Sequence, residues 1–247
     1  MPPATPAGPP LRAVLFDLDD TLFDHLGTAR AALTATQQQY PALHGLGLDE
    51  LSARYGELLE ELHLQLLAGR LTVAEARQQR FERLLAPYGV SAAAAGGIGQ
   101  SHYAHYRRLR RVLPGAAELL QALAPDYQLG IVSNNRLAEQ QDKLQQLGLR
   151  ALLPVLVTPE EAGAAKPAPR IFEVALARLG VGPAEAVLVG DSWPADVVGA
   201  LAAGIRPVWL NRTGAVAPQP GVAELRSLQP LAHALAVITG RATLPAG

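Results

Sequence analysis

One nine-residue segment, Ala13–Thr21, determines how the rest of the chain is interpreted, and it reads AVLFDLDDT. Its first four residues are apolar without alternation, which is typical of a strand covered on both faces in a parallel sheet. Asp17 and Asp19 follow at alternate positions, so both can point to the same side of an extended chain. Burying two carboxylates is costly unless something compensates their charge. The segment therefore predicts a buried strand that leads into a functional site.

Four further apolar runs predict the remaining strands of this sheet. They lie at residues 129–132, 154–157, 186–189 and 207–210. Helical patterns separate the runs, and Gly148 and Gly180 are predicted to end two of these helices. Alternating strands and helices indicate βαβ units with right-handed crossovers. We predict an α/β protein with a three-layer, Rossmann-like core built on a parallel sheet.

A long helical interval separates the first two apolar runs and predicts an inserted subdomain. One predicted helix carries an apolar stripe with steps of three or four: Leu48, Leu51, Tyr55, Leu58, Leu62 and Leu66. A second helix is predicted from Thr72 to Leu85, and the Ala/Gly-rich residues 91–99 are predicted to form a loop before a third. We divide the chain into a flexible tail at 1–10, an α/β core at 11–23 and 113–240, a helical cap at 24–112 and a C-terminal tail at 241–247.

Composition and charge exclude several classes of protein. The 247 residues contain no cysteine, which excludes a disulfide scaffold, a thiolate zinc site and a cysteine nucleophile. The formal net charge of −1 does not support a nucleic-acid polymer as partner. No run approaches the ~18 apolar residues of a membrane-spanning helix, and the first ten residues lack the basic and apolar regions of a secretion signal. We therefore predict a cytoplasmic protein with no membrane partner.

Polar side chains follow the predicted strands where a parallel sheet would bring them together. These residues lie at or between the ends of the later apolar runs: Ser133, Asn134, Lys166, Asp191 and Asp196. Because ligands of open parallel sheets bind beyond the carboxyl ends of the strands, we expect these side chains to lie near Asp17 and Asp19.

The chemistry of this group predicts metal-assisted phosphoryl transfer. Carboxylates without histidine or cysteine partners favour a hard cation, and we predict Mg²⁺ as the cofactor. A lysine and a hydroxyl beside them suit a phosphate group, which makes a small-molecule phosphate ester the expected partner. One carboxylate can attack phosphorus while a second transfers a proton.

Four motifs, taken in order, resemble the haloacid dehalogenase-like hydrolase superfamily, in particular its phosphatases with a helical C1-type cap inserted after the first strand. The motifs are DLDDT at 17–21, SN at 133–134, KP at 166–167, and GDS at 190–192 with Asp196. The resemblance spans about residues 11–212. It implies that Asp17 is the nucleophile and forms an aspartyl-phosphate, and that Asp19 protonates the leaving oxygen and then activates water. It also implies that Asp17, the backbone carbonyl of Asp19 and Asp191 bind Mg²⁺.

The same resemblance implies roles for the remaining site residues. Ser133 and Lys166 would hold the phosphoryl oxygens, and Asn134 would help to shape this phosphate site. Thr21 would support the loop of the nucleophile. Asp196 would position water or Lys166.

An acid at position 19 bears on the subclass that the sequence resembles. Dehalogenases of this superfamily lack the second aspartate because a halide leaving group needs no proton, and ion-pumping ATPases carry threonine there. The extended motif is similar to those of nucleotidases and acyl-sugar phosphatases, so the substrates considered are a nucleoside monophosphate, a sugar phosphate or a phosphoglycolate-like acid. The alternatives are a phosphomutase of the same superfamily and a non-catalytic protein that binds a phosphate ligand.

Three other features of the inserted segment are interpreted as structural. Residues 96–99, GGIG, do not complete a dinucleotide fingerprint and follow no strand. His102 and His105 share a helix face without a third ligand, which favours a packing or surface role. The arginines within residues 107–111 are expected to form a solvated helix end.

Overall fold

The structure, a computed structural model, describes residues 9–240. Its sheet has six parallel strands in the order β3-β2-β1-β4-β5-β6. The strands are β1 at Ala13–Phe16, β2 at Gln128–Val132, β3 at Val155–Val157, β4 at Ala186–Gly190, β5 at Arg206–Leu210 and β6 at Ala223–Leu225.

The first strand lies at the centre of the sheet, as its continuous apolarity predicts. All four residues of β1 are fully buried, and Leu15 is paired with Gly130 of β2 on one side and Leu188 of β4 on the other. The strand order changes direction at β1, because β2 and β3 lie to one side and the later strands to the other. Such a reversal leaves a crevice beyond the carboxyl ends of β1 and its neighbours.

Helices cover both faces of the sheet. The core helices are α5 at Ala116–Leu123, α6 at Leu137–Gln146, α7 at Pro159–Ala162, α8 at Pro169–Leu179, α9 at Val198–Ala202 and α10 at Leu231–Thr239. Leu15 and Leu188 belong to one apolar cluster with Phe172 of α8. Val14 and Phe16 alternate to the opposite side of β1, and α10 packs against both β4 and α5. The predicted three-layer α/β fold is therefore confirmed.

The chain divides into two compact units. One contains the sheet and is formed by the chain up to Phe23 and from Val112 onward, and the other is Asp24–Arg111. The predicted tails at 1–10 and 241–247 lie outside the described residues except for Pro9 and Pro10. That the second unit serves as a cap stays a prediction.

Four helices form the Asp24–Arg111 unit. They are α1 at His25–Gln39, α2 at Leu48–Leu67, α3 at Val73–Leu85 and α4 at Ala92–Arg108. The predicted stripe of α2 buries Leu51, Leu58 and Leu62 within this unit. Thr72 caps α3 through a reciprocal pair of hydrogen bonds with Glu75, which explains why the helix begins there. Within residues 9–240, no helix combines the length and apolarity that crossing a membrane requires.

The prediction of a loop at residues 91–99 is wrong, because α4 runs through this stretch. Ser91 caps the helix by accepting a hydrogen bond from the Ala94 N–H at 3.3 Å. A β-carbon at Gly99 would lie 3.0 Å from the ring of Phe81 in α3. Glycine at this position therefore allows α3 and α4 to approach closely, and it does not indicate a flexible loop.

The interpretation of residues 107–111 as a solvated end is also incorrect for Arg110, whereas Arg111 is exposed as expected. Arg110 is buried and its guanidinium lies 5.7 Å from the centre of the Tyr106 ring. Arg111 forms an ion pair with Asp24 at 2.7 Å. His102, in contrast, has the predicted packing role and is buried against the ring of Tyr55.

The sixth strand was missed, and the reason is its composition. Residues 223–225 read AEL and form only three residues of strand at the sheet edge. Such a short segment with a central glutamate gives neither a continuous apolar run nor a clear alternation.

Candidate active site

The site is built at the carboxyl edge of β1 and its two neighbours. Asp17 directly follows β1, and its N–H donates to the carbonyl of Val189 in β4 at 2.9 Å. The chain then turns sharply, because the N–H groups of Leu22 and Phe23 both donate to the Leu18 carbonyl. Asp20 adopts a left-handed backbone conformation (φ 61°) within this turn, which aspartate tolerates better than most residues. The DLDDT motif is thus a strand end followed by a tight turn.

Lys166 bridges two buried carboxylates. Its Nζ lies 2.6 Å from Asp17 Oδ1 and 2.6 Å from Asp196 Oδ1. Burial alone would lower the pKa of the Lys166 ammonium, but the charges of Asp17 and Asp196 raise this pKa above its ordinary value. The lysine is therefore a permanent cation at the centre of the site.

Three carboxylates, those of Asp17, Asp191 and Asp196, lie together near the single ammonium of Lys166. Burial raises the pKa of Asp17 to about 7 in spite of the opposing charge of Lys166. Burial and the negative charges of Asp17 and Asp196 raise the pKa of Asp191 to about 8. These shifts indicate that ionising Asp17 and Asp191 together is unfavourable without additional positive charge.

The arrangement of these three carboxylates fits a divalent cation. Oxygen atoms of Asp17, Asp191 and Asp196 all lie within 4.8 Å of one another. An all-carboxylate donor set suits a hard ion such as Mg²⁺. Asp196 already accepts hydrogen bonds from Lys166 and, at 3.0 Å, from the N–H of Ser192. Asp17 and Asp191 are therefore better suited than Asp196 to bind the ion directly.

Two contacts hold the Asp191 residue in place. Thr21 is fully buried and its hydroxyl donates to Asp191 Oδ1 at 3.2 Å. The indole N–H of Trp209 donates to the Asp191 backbone carbonyl at 2.8 Å. Glycine is also required at position 190, directly before Asp191. A β-carbon there would lie 2.4 Å from the carboxyl group of Asp196.

The second motif lies at the end of β2. Ser133 is buried, and its N–H donates to the Val157 carbonyl of β3 at 3.0 Å. Asn134 binds the backbone of Lys166 twice, by donating to its carbonyl at 2.9 Å and by accepting from its N–H at 2.7 Å. Asn134 thus joins two of the predicted motifs, while its role in binding phosphate stays a prediction.

Three residues that contact Asp19 were not predicted as site residues. Lys143 forms an ion pair with Asp19, and Gln140 and Asn135 donate to the same carboxylate at 2.9 and 3.4 Å. The sequence contained a signal for Lys143, because lysine is rare in this chain. Lys143 and Lys166 are its two lysines. The other basic residues are arginines, and both lysines are buried at the site.

The structure brings all the predicted site residues into one connected group at the sheet edge. One part of the group surrounds Lys166: Asp17, Thr21, Asn134, Asp191 and Asp196. Asp19 and Ser133 form the other part, connected through Gln140. Such a group offers a carboxylate nucleophile, a second carboxylate for proton transfer and cationic or hydroxyl partners for an anionic substrate.

Comparisons with known proteins agree with this geometry. A family model described as haloacid dehalogenase-like hydrolase matches residues 11–204. The chain is 30% identical over 224 residues to pyrimidine 5′-nucleotidase YjjG of Escherichia coli, covering 88% of this chain and 96% of that protein. It is 31% identical over 205 residues to glyceraldehyde 3-phosphate phosphatase of Methanothermobacter thermautotrophicus, covering 81% and 86%.

Solved structures show the same similarity. The HAD-hydrolase YfnB of Bacillus subtilis, solved bound to magnesium, is 27% identical with a TM-score of 0.74, over 92% of this chain and 99% of that one. Other similar structures are dehalogenases. The order of the four motifs, their assembly at one sheet edge and the family match over residues 11–204 lead to one conclusion: the chain is an enzyme of the haloacid dehalogenase-like hydrolase family.

Proposed function

We propose that this enzyme is a Mg²⁺-dependent phosphatase of a small phosphomonoester and that it acts through an aspartyl-phosphate on Asp17. The observation that carries the proposal is the Lys166 bridge, in which one buried ammonium binds Asp17 and Asp196 at 2.6 Å each. This bridge supports a phosphate site next to a carboxylate nucleophile, since phosphoryl oxygens bound there would meet a fixed positive charge.

In the first step, an Asp17 carboxylate oxygen attacks phosphorus and the ester P–O bond breaks. The leaving oxygen takes a proton from the Asp19 carboxyl, so the alcohol departs neutral and Asp19 becomes ionised. Lys166 and the Ser133 hydroxyl would hold the phosphoryl oxygens during the transfer. A Mg²⁺ ion held by Asp17 and Asp191 would supply further positive charge against the phosphoryl group.

In the second step, water attacks the phosphorus of the aspartyl-phosphate. Asp19 takes a proton from this water, inorganic phosphate leaves, and the Asp17 carboxylate is restored. The two steps together consume one water molecule and return both carboxyl groups to their starting protonation states.

Two observations support the metal and the substrate class. The clustered carboxylates of Asp17 and Asp191 form a hard-oxygen donor set, and a similar protein of B. subtilis has been solved bound to magnesium. Relatives named as a pyrimidine 5′-nucleotidase and a glyceraldehyde 3-phosphate phosphatase support a small ester as substrate. We further propose that the enzyme is cytoplasmic and that Asp24–Arg111 acts as a cap that limits the access of water and large substrates.

The presence of Asp19 favours phosphatase over dehalogenase activity, although similar structures include dehalogenases. A halide needs no proton on leaving, whereas an alkoxide does. Asp19 lies at the motif position where it could supply that proton, and three donors orient its carboxylate.

The proposal is tested by measuring phosphate release from uridine 5′-monophosphate, glyceraldehyde 3-phosphate and p-nitrophenyl phosphate, each with Mg²⁺ and with chelator. Wild type and Asp17→Asn are compared after circular dichroism has shown that both are folded. Metal-dependent release that disappears in Asp17→Asn supports the proposal. No release from any ester contradicts it, and an isomerised sugar phosphate without phosphate release indicates the phosphomutase alternative.

A further inference from the structure

Two buried side chains of the core helix α6 bind the carboxylate of Asp19. Lys143 and Gln140 lie three residues apart on α6 and therefore share a face. Lys143 binds Asp19 Oδ1, whereas Gln140 Nε2 donates to Asp19 Oδ2 at 2.9 Å. The Lys143 and Gln140 side chains are almost fully buried, while 24% of the Asp19 side chain is exposed. The carboxylate is thus anchored at two atoms and still accessible to a small molecule.

Gln140 connects this carboxylate to the phosphate-binding motif. Its Nε2 also donates to Ser133 Oγ at 2.6 Å, and the backbone N–H of Asn135 donates to the same oxygen at 3.2 Å. A hydroxyl oxygen that accepts two hydrogen bonds directs its own hydrogen elsewhere. Ser133 is therefore oriented as a donor, which is the role that a phosphoryl oxygen requires.

The orientation of the Gln140 amide follows from its neighbours. If the amide were rotated by half a turn, its oxygen would face the Asp19 carboxylate and the two acceptors would repel each other. The observed orientation instead places both N–H bonds of one nitrogen on the two residues expected to act on the substrate.

Two aspartates of the first motif, Asp17 and Asp19, each have their own buried lysine. Lys166 binds Asp17 and Lys143 binds Asp19, and the chain contains these two lysines alone. Burying an ammonium is unfavourable, and a lysine on a helix is ordinarily solvated. The position of Lys143 is therefore explained better by a requirement at Asp19 than by stability.

We propose that Lys143 and Gln140 are positioning residues for the phosphatase reaction, with Lys143 orienting Asp19 toward the leaving oxygen and Gln140 holding this carboxylate in register with the Ser133 hydroxyl. The inference rests on the proposed phosphatase function. Neither residue touches the substrate in this scheme, because both act through Asp19 and Ser133. Loss of Lys143 should consequently matter most for esters whose leaving group needs a proton.

The test compares kcat/KM for two classes of ester, since this parameter covers the steps up to departure of the leaving group. The alkyl ester is uridine 5′-monophosphate or glyceraldehyde 3-phosphate, whichever the wild type hydrolyses faster, and the aryl ester is p-nitrophenyl phosphate. Lys143→Met is expected to lose about 10–100-fold on the alkyl ester and less than about threefold on the aryl ester. Gln140→Met should lose activity on both, and more on the alkyl ester.

Two controls separate positioning from a general structural role. Gln141→Met makes the same substitution at the next, exposed residue of α6 and should retain wild-type kinetics on both esters. In an Asp19→Asn background, Lys143→Met should add less than about threefold to the loss, because the group on which Lys143 acts is already gone. This double variant also removes the partly buried Asp19 charge, which would lack its lysine partner in the single variant and could prevent that variant from folding.

The inference would be overturned if Lys143→Met lost kcat/KM equally on the two esters. It would also be overturned if the Lys143→Met effect were undiminished in the Asp19→Asn background. Either result would leave the proposed function intact. A Lys143→Met chain that folds in neither background would assign Lys143 a structural role, with the same consequence. Wild-type protein that hydrolyses no ester would instead overturn the proposed function, and this inference with it.

Discussion

Both amide atoms of the Asn134 side chain bind the backbone of Lys166, one on each side of its α-carbon, at 2.7 and 2.9 Å. Asn134, the second residue after β2, thereby fixes the backbone from which the Lys166 ammonium extends. We expect Asn134→Ala to lower the free energy of unfolding by about 1–2 kcal/mol through the lost hydrogen bonds. A displaced ammonium should lower kcat by about 10–100-fold.

Urea denaturation and steady-state kinetics check this pair of effects. Gln145→Ala, which truncates an exposed amide on α6, is the matched control and should change neither quantity. Wild-type kcat in Asn134→Ala would show that the two hydrogen bonds do not position Lys166.

Gly190 allows Asp196 to reach Lys166. A β-carbon at Gly190 would lie 2.4 Å from the Asp196 carboxyl group, so Gly190→Ala should displace that carboxylate. We expect a loss of activity of about 100-fold and a destabilisation of about 1–3 kcal/mol. Gly182→Ala is the control, because its β-carbon would make only an ordinary contact at 3.5 Å with Glu185. Unchanged phosphate release from Gly190→Ala would contradict the assignment of Asp196.

Two glycines of α4, Gly97 and Gly99, should respond differently to alanine. Nothing lies within 4 Å of a β-carbon at Gly97, whereas one at Gly99 would lie 3.0 Å from the Phe81 ring. Gly97→Ala should therefore stabilise the protein by about 0.5–1 kcal/mol through helix propensity. Gly99→Ala should destabilise it, because α3 and α4 would have to separate. Thermal unfolding of the two variants measures the difference, and equal shifts would refute close packing at Gly99.

His102 should make stability depend on pH. Burial lowers the pKa of His102 to about 3, with the charges of Arg80 and His105 acting in the same direction, from an ordinary value of 6.5. Below pH 6.5 the unfolded chain binds a proton that the folded chain excludes. The contribution of neutral His102 to the free energy of unfolding is therefore complete above pH 6.5. It is lost as pH falls toward 3, at about 1.4 kcal/mol per pH unit.

The measurement is the denaturation midpoint between pH 8 and pH 4 for wild type and His102→Gln. The glutamine side chain does not titrate, so the variant should lose less stability than wild type over this range. Parallel pH profiles for the two proteins would mean that His102 is protonated in the folded state.

Tryptophan fluorescence should report metal binding without any catalytic turnover. The indole of Trp209 donates to the Asp191 carbonyl, and its ring lies 4.9 Å from that of Trp193. These are the two tryptophans of the chain. Adding Mg²⁺ should change the emission in a saturable way, chelator should reverse the change, and Asp191→Asn should weaken it by at least about tenfold in apparent affinity. An identical titration of wild type and Asp191→Asn would exclude Asp191 as a ligand.

Much of the fold follows from local patterns in the chain. Continuous apolarity is sufficient to identify β1, because a strand with both faces buried needs no alternation. The residues of the four motifs come directly after such runs or between them, so their meeting at one sheet edge follows from parallel topology. The short edge strand β6 gave no comparable signal, since residues 223–225 carry little apolar surface.

The sequence by itself therefore determined the α/β class, the four motifs and the family resemblance, because each depends on residues that are close in the chain. The partners of Asp19 depended on tertiary structure: Lys143 lies 124 residues away, and the pattern of α6 alone does not distinguish a buried lysine from a solvated one. Gly99 likewise suggested a loop until the close approach of Phe81 explained it. Contacts between distant segments arise only when helices pack, and no local propensity encodes which polar side chain becomes buried against which.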